Sequence, residues 1–376
     1  MERFDEVAAG VRELHVTLGK GNITLRVAQG NVWSLNYDDA RKGDALEVER
    51  DGDTLRVRQR PGGRRDVRLT APLELENIHL RAGSGRIEVE GARGRIHLDS
   101  GNGAVALRGA SGAATLTSGN GDIDVDGFDG ELAATSRNGR VRVAGLGGQA
   151  TLRTANGRVE VRDSNGSVEA HNGNGDVALA RVGGKSELHT AYGAIVVESP
   201  RDLATQATTK MGAIRIVDGA VRDLRLKSHM GEVRCSAALA AGRHELETSM
   251  GAIVLELPAN IAARVDAQTA FGAVHSDFPL VRVGRSGPMG FGGVRMVGSI
   301  GVADPAIDIS LRSSKGSLTL RGRSSAPLQP PIVERPPAPP IQPRQPEQGA
   351  TLQLLEALAR GEITPAEAED RLSQRV

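Results

Sequence analysis

GSGRIEV (83–89), SGNGAVAL (100–107), SGNGDIDV (118–125) and NGRVRV (138–143) each carry a glycine followed two and four residues later by an aliphatic side chain. That glycine recurs every 18 residues through Gly85, Gly103, Gly121, Gly139, Gly157, Gly175 and Gly193, then at Gly212, Gly231, Gly251 and Gly272. A fixed period of this length marks a solenoid, whose repeats must stack because none can bury its apolar face alone. The paired aliphatics, from Ile87/Val89 through Val141/Val143 to Ile253/Leu255, alternate with charged or small residues. Period-two alternation in β-branched segments means short strands with one buried face. A second glycine column half a period later (Gly94, Gly112, Gly130, Gly148, Gly166, Gly184) leads into strands bearing Leu98, Leu116, Leu152 and Leu188. The fold class expected is all-β: a parallel β-solenoid of about 18-residue coils, with rungs ~4.8 Å apart.

Composition agrees. The 376 residues include 48 glycines but only eight aromatics, so Val, Ile, Leu and Ala must supply the core. With 47 basic and 46 acidic residues, the net charge of +1 leaves no electrostatic footprint for nucleic acid. A single cysteine, Cys235, cannot form a disulfide within the chain. No run reaches the ~18 apolar residues of a membrane helix, and the first 16 residues do not resemble a signal peptide. A cytoplasmic protein is the expectation, with cell-surface association as the alternative.

The domains expected are a β cap or lead-in of hairpin-like strands (1–75), solenoid repeats (76–322) with an irregular insert (279–300), a proline-rich linker (323–349) and a helical hairpin (350–376). Residues 306–321 resemble a last coil. Nine prolines between 326 and 348 make an extended tether. In the tail, Leu352, Leu355 and Leu358 share one helix face, and Thr364-Pro365-Ala366-Glu367 is a capping box with proline at the first helical position. So short a module cannot bury a core alone. Leu352, Leu355, Leu358, Ile363 and Leu372 therefore form a candidate docking face, for self-association or a protein partner.

The repeats GSGRIEV, SGNGAVAL, SGNGDIDV and NGRVRV, continued by TKMGAIRI (209–216), SHMGEVRC (228–235) and SMGAIVL (249–255), resemble the bacterial β-strand-repeat family of unknown function labelled “putative adhesin”. The likeness covers roughly residues 10–321. It implies surface attachment or envelope-stress association, and the family offers no site residues to carry over. LLEALARGEITPAEAEDRL (354–372) is similar to SHOCT-like (short C-terminal) domains.

Three residues before each glycine stands a hydroxyl or amide (Ser100, Ser118, Ser136, Thr154, Asn172, Thr190, Thr209, Ser228, Thr248, Thr269), a column expected to hydrogen-bond from rung to rung. Outward charges should pair across rungs, Asp122 with Arg140, and Asp124 with Arg142, which in turn meets Glu160. Asp122–Gly127 opens like a calcium loop, but position twelve is Ala133 where a bidentate Glu is needed. The eight histidines are scattered without ligand spacing, and Cys235 sits in the buried column. No catalytic, cofactor or metal site is expected.

One column changes character. Immediately before the glycines it runs Asn102, Asn120, Asn138, Asn156, Asn174, then Tyr192, Met211, Met230, Met250, Phe271. Asn suits a tight turn. The five large apolar residues either form an exposed contact stripe, turn inward in wider coils, or lie beneath residues 279–300. The function expected is a non-enzymatic scaffold or interaction protein, with the envelope-stress association that the family resemblance implies. The alternatives are an adhesin-like surface protein and a polysaccharide-active enzyme.

Overall fold

The computed structural model describes residues 10–28, 33–37, 46–60, 63–286, 293–301 and 305–323, all of them strands and the turns between them. They fall within one compact unit, residues 1–324. The linker and the tail from 324 onward, including Leu352, Leu355, Leu358, Ile363 and Leu372, lie outside the described residues.

From Asn77 to Met250 the rungs stack parallel, in chain order and in register. Val105 lies between Ile87 and Ile123, and Leu116 between Leu98 and Ala134. Each rung turns Val105, Leu107, Ala110, Ala114 and Leu116 or their equivalents inward, and these side chains are buried. At ~1.5–3 kcal/mol for each large aliphatic removed from water, such a stack holds without aromatic residues.

Glycine is required at the main corner because rungs touch there backbone to backbone. A Cβ on Gly121 would stand 2.3 Å from the Gly103 carbonyl oxygen. A further corner lies six residues on, in the left-handed region: Gly91, Gly109, Gly127 and Gly145, then Asp163, Arg181, Ser199 and Asp218, with φ between 47° and 76°. Where glycine gives way to Asp163 and Arg181, the two side chains close a bidentate ion pair across the rungs at 2.6 and 2.7 Å. The Arg181 guanidinium holds the Asp163 carboxyl below the usual carboxylate range.

The ends depart from chain order. At the N-terminal end, the rung formed by Glu13–Lys20 and Ile23–Ala28 is sandwiched. Asn77–Ser84 and Ile87–Glu90 lie on one side of it, Thr54–Gln59 and Val67–Pro72 on the other. Leu46–Asp51 and Ser34–Tyr37 run antiparallel along the outermost rung and cover it. The solenoid thus begins at Val11, ahead of residue 76. The intervening covering strands break the 18-residue period and hide these rungs from a reading by spacing.

The C-terminal end repeats the device. Ile307–Lys315 and Leu318–Arg323 insert between Gly242–Met250 and Ala263–Phe271, pairing parallel with both neighbours. The coil expected to be last is therefore last in sequence but not in space, and the corner glycines run Gly251, Gly316, Gly272. Gly293–Ile300 then pairs antiparallel with Ala263–Phe271, and Val281–Ser286 antiparallel with Gly293–Ile300. The segment expected to be an irregular insert is the capping hairpin.

Candidate functional site

The hydroxyl column points inward, and its bonding differs from the expectation. Ser118 Oγ donates to the Gly103 carbonyl at 3.0 Å, Thr190 Oγ1 to Gly175 at 3.0 Å and Ser228 Oγ to Gly212 at 3.0 Å. Each hydroxyl thus reaches the corner carbonyl of the preceding rung in place of the next hydroxyl. A buried carbonyl needs a donor, and a small side chain three residues before the next corner supplies it.

The true side-chain ladder is the asparagine column. Asn120 Nδ2 donates to Asn102 Oδ1 at 2.7 Å, Asn138 to Asn120 at 2.8 Å, Asn156 to Asn138 at 2.9 Å and Asn174 to Asn156 at 2.8 Å. The same register continues from Asn174 to Tyr192, Met211, Met230, Met250, Lys315 and Phe271. Tyr192 is 54% exposed, Met211 44%, Met250 42% and Phe271 59%, with Met230 half-buried. The large apolar residues neither turn inward nor sit in the core; they form an outward ridge.

A second column changes at the same rung, and the sequence reading missed it. The residue after the corner glycine is Arg86, Ala104, Asp122, Arg140, Arg158 and Asp176 in the first half, then Ala194, Ala213, Glu232, Ala252, Ser317 and Ala273. In the first half these side chains serve the stack: Asp122 Oδ1 accepts from the Arg140 backbone N–H at 2.8 Å, and its Oδ2 pairs with the Arg140 guanidinium at 3.2 Å. From Ala194 onward the column is short and nearly uncharged. Ridge and small-residue column together make one apolar corner six rungs long. The signal was the column-by-column change, since no single alanine is unusual.

Behind the asparagine ladder, on the strand before the corner, runs an open groove of about 860 Å³ floored by Gly119, Gly173 and Ala191 and walled by Arg153, His171 and His189. The two imidazoles stack with centroids 5.1 Å apart, and each meets the carboxylate two residues earlier, Glu169 at 2.6 Å and Glu187 at 3.1 Å. The bond from His189 holds Glu187 below the usual range.

The remaining candidates are structural. In Asp122–Gly127, Ile123 and Val125 are buried, and Asp122 is engaged by Arg140. Asp124, Arg142 and Glu160 are neighbours in register, but Glu160 pairs with Arg158, the turn residue two positions earlier, at 3.3 Å. Among the described residues no group of three His, Cys, Asp or Glu is placed to hold a metal ion. Burial pushes the Cys235 thiol up to about 11, so the reactive thiolate is not populated near neutrality.

The histidines are less scattered than their spacing suggests. His15 stacks on His79 at 4.6 Å because the rung at 13–20 packs beside that at 77–84, and His97 of the next rung lies against His79 at 5.6 Å, tilted by 43°. Burial, then the neighbouring His15 and His97, hold His79 below its ordinary value; burial likewise lowers His244, whose Nε2 meets the Ala240 carbonyl. With folded-state values depressed, the unfolded chain takes up these protons first. Their contribution is complete above about pH 6.5 and drains as pH falls below it. Melting curves should show Tm dropping from about pH 7.5 to about pH 5.5, and dropping less in H79Q and H244Q. A decline equally steep in both variants would assign it to other groups.

A model of the family described as Toastrack DUF4097 matches residues 11–169 and, overlapping, 151–287. No curated protein matches the chain. A solved structure of a “putative cell adhesion protein” from Clostridium sporogenes is similar over 84% of this chain and 95% of its own, at 10% identity and a TM-score of 0.16. Among the described residues no helix is long and apolar enough to cross a membrane.

Proposed function

The chain belongs to the Toastrack DUF4097 family, and from that premise we propose that it is a β-solenoid interaction protein without enzymatic activity, whose contact surface is the apolar corner from Tyr192 to Phe271. The observation that carries this reading is the joint change of two columns at one rung, with the bulky one exposed. A solenoid gains nothing in stability from methionine at an exposed corner where an asparagine ladder serves the preceding rungs. An apolar patch of several hundred Å² rimmed by polar residues is the usual mark of a contact site. Against sugar cleavage, which needs two free carboxylates flanking the scissile bond, Glu169 and Glu187 beside the groove are each engaged by a histidine. Envelope-stress association and a docking role for residues 350–376 belong to the same proposal.

The methionines are built-in probes. If the corner is occupied in use, sulfoxide formation at Met211 and Met250 should run several-fold slower in intact producing cells than in dilute purified protein. Peptide mass spectrometry after a brief peroxide pulse reads both rates, with unfolded protein as the upper reference. Equal rates in cells and in dilute solution would refute the proposal.

A further inference from the structure

We infer that the occupant of this corner is the same corner of a second copy of the chain, the two solenoids lying antiparallel about a twofold axis at the Met250 rung. The inference rests on the corner being a contact surface and adds the partner.

The rung order is what reveals it. Because the 307–323 coil inserts between the Gly251 and Gly272 rungs, the corner reads in space Tyr192/Ala194, Met211/Ala213, Met230/Glu232, Met250/Ala252, Lys315/Ser317, Phe271/Ala273. Two charges interrupt it, Glu232 one rung before Met250 and Lys315 one rung after. Neither has an ion-pair partner among the described residues, whereas some outward charges do pair across rungs, Arg181 with Asp163 and Lys227 with Glu247. A twofold axis through the Met250 rung, perpendicular to the stack, brings Glu232 level with the second copy's Lys315 and the reverse. The same operation sets Met211 level with Phe271. In a parallel pair, equal charges would stand level instead and repel.

Spacing also selects a second copy. Rungs rise ~4.8 Å, whereas the turns of an α-helix rise 5.4 Å, so a helical partner drifts by about 3 Å over the five steps of the corner. Another solenoid stays in step throughout. A corner two columns wide and six rungs long is small beside the ~800 Å² per partner of a standard interface. That size, and unbranched methionines that adapt to their contacts, fit a reversible dimer that forms at micromolar concentration.

Sedimentation velocity on the full chain from about 1 to 200 µM tests this, a range spanning the affinity expected of a small interface. The wild type should pass from monomer to dimer. E232K and K315E should each weaken the dimer by about tenfold or more, since each sets like charges level across the axis, and the double swap E232K/K315E should recover most of the loss. M211N/M230N/M250N should stay monomeric with an unchanged circular dichroism spectrum. A wild type that is monomeric throughout, or a dimer indifferent to these substitutions, overturns the inference. In-cell protection of the methionines alongside a monomeric wild type would reject the second copy and keep the contact surface. Loss of that protection would reject both.

Discussion

Gly231→Ala is expected to remove about 4 kcal/mol of stability, a large share of the roughly 5–15 kcal/mol margin of an ordinary domain. The added Cβ would stand 2.1 Å from the Gly212 carbonyl oxygen and 2.6 Å from its carbon. Both are backbone atoms, so no rotamer change relieves the contact. Separating the two rungs would stretch the ladder bond from Gly212 N–H to Met230 O at 2.9 Å. It would also pull Ser228 from the Gly212 carbonyl it serves. A φ of 152° adds backbone strain, of order 1–3 kcal/mol for a side chain outside the common regions. Gly109→Ala is the matched control: its φ of 56° is also left-handed, but nothing lies within 4 Å of the new Cβ. It should cost about 1 kcal/mol, the left-handed penalty alone. Urea unfolding of the two variants separates rung contact from backbone strain, and equal losses would show that the corner tolerates a methyl group.

The same geometry explains how far the sequence could be read. Every rung places the same demands on its corner, so Gly103, Gly121 and Gly139 recur, and Val105, Ile123 and Val141 recur with them. Column patterns specify which residues stack but not the order of the rungs. The 307–323 coil carries Ser313, Gly316, Leu318 and Leu320 in the same columns as its neighbours and fits either side of the Gly272 rung. Its insertion, like that of the 11–28 rung, is a tertiary choice. The His15–His79 contact follows from that choice and is invisible at a separation of 64 residues, whereas His79 and His97 stand one 18-residue period apart. At the corner, the bulky column was legible and its burial was not, because a turn residue has no period-two partner to show which way it faces. The alanine column escaped notice for a different reason: alanine is ordinary, and only its replacement of charge at the same rung gives it meaning. The hydroxyl column was misassigned because like residues in register suggest pairing with one another, whereas the corner carbonyl lies nearer.

Leu311→Asp should open the end of the solenoid in an order that sequence position does not suggest. Leu311 is fully buried in the inserted rung, in register with Leu246 on one side and Ala267 on the other. A carboxylate there has no partner, and burying it unpaired costs several kcal/mol, so the rung leaves the stack. Stability in a solenoid passes only between neighbouring rungs. What then loses its footing is the Ala263–Phe271 rung with the capping strands Gly293–Ile300 and Val281–Ser286, all earlier in the chain. The competing outcome is that this rung slides down one position and pairs directly with Gly242–Met250. Burial decides against it. Against Ile253 and Leu255 the inserted rung sets Leu318 and Leu320, both fully buried, whereas the sliding rung offers a half-buried Val274 and Ser276. Hydrogen exchange read by mass spectrometry should therefore show at least about tenfold faster exchange over 263–276, 293–300 and 307–323, with 105–161 unchanged, as expected when unfolding is local. Protection lost over 307–323 alone, with 263–276 still slow, would mean that the rung re-seats and that column identity outweighs buried area in ordering this stack.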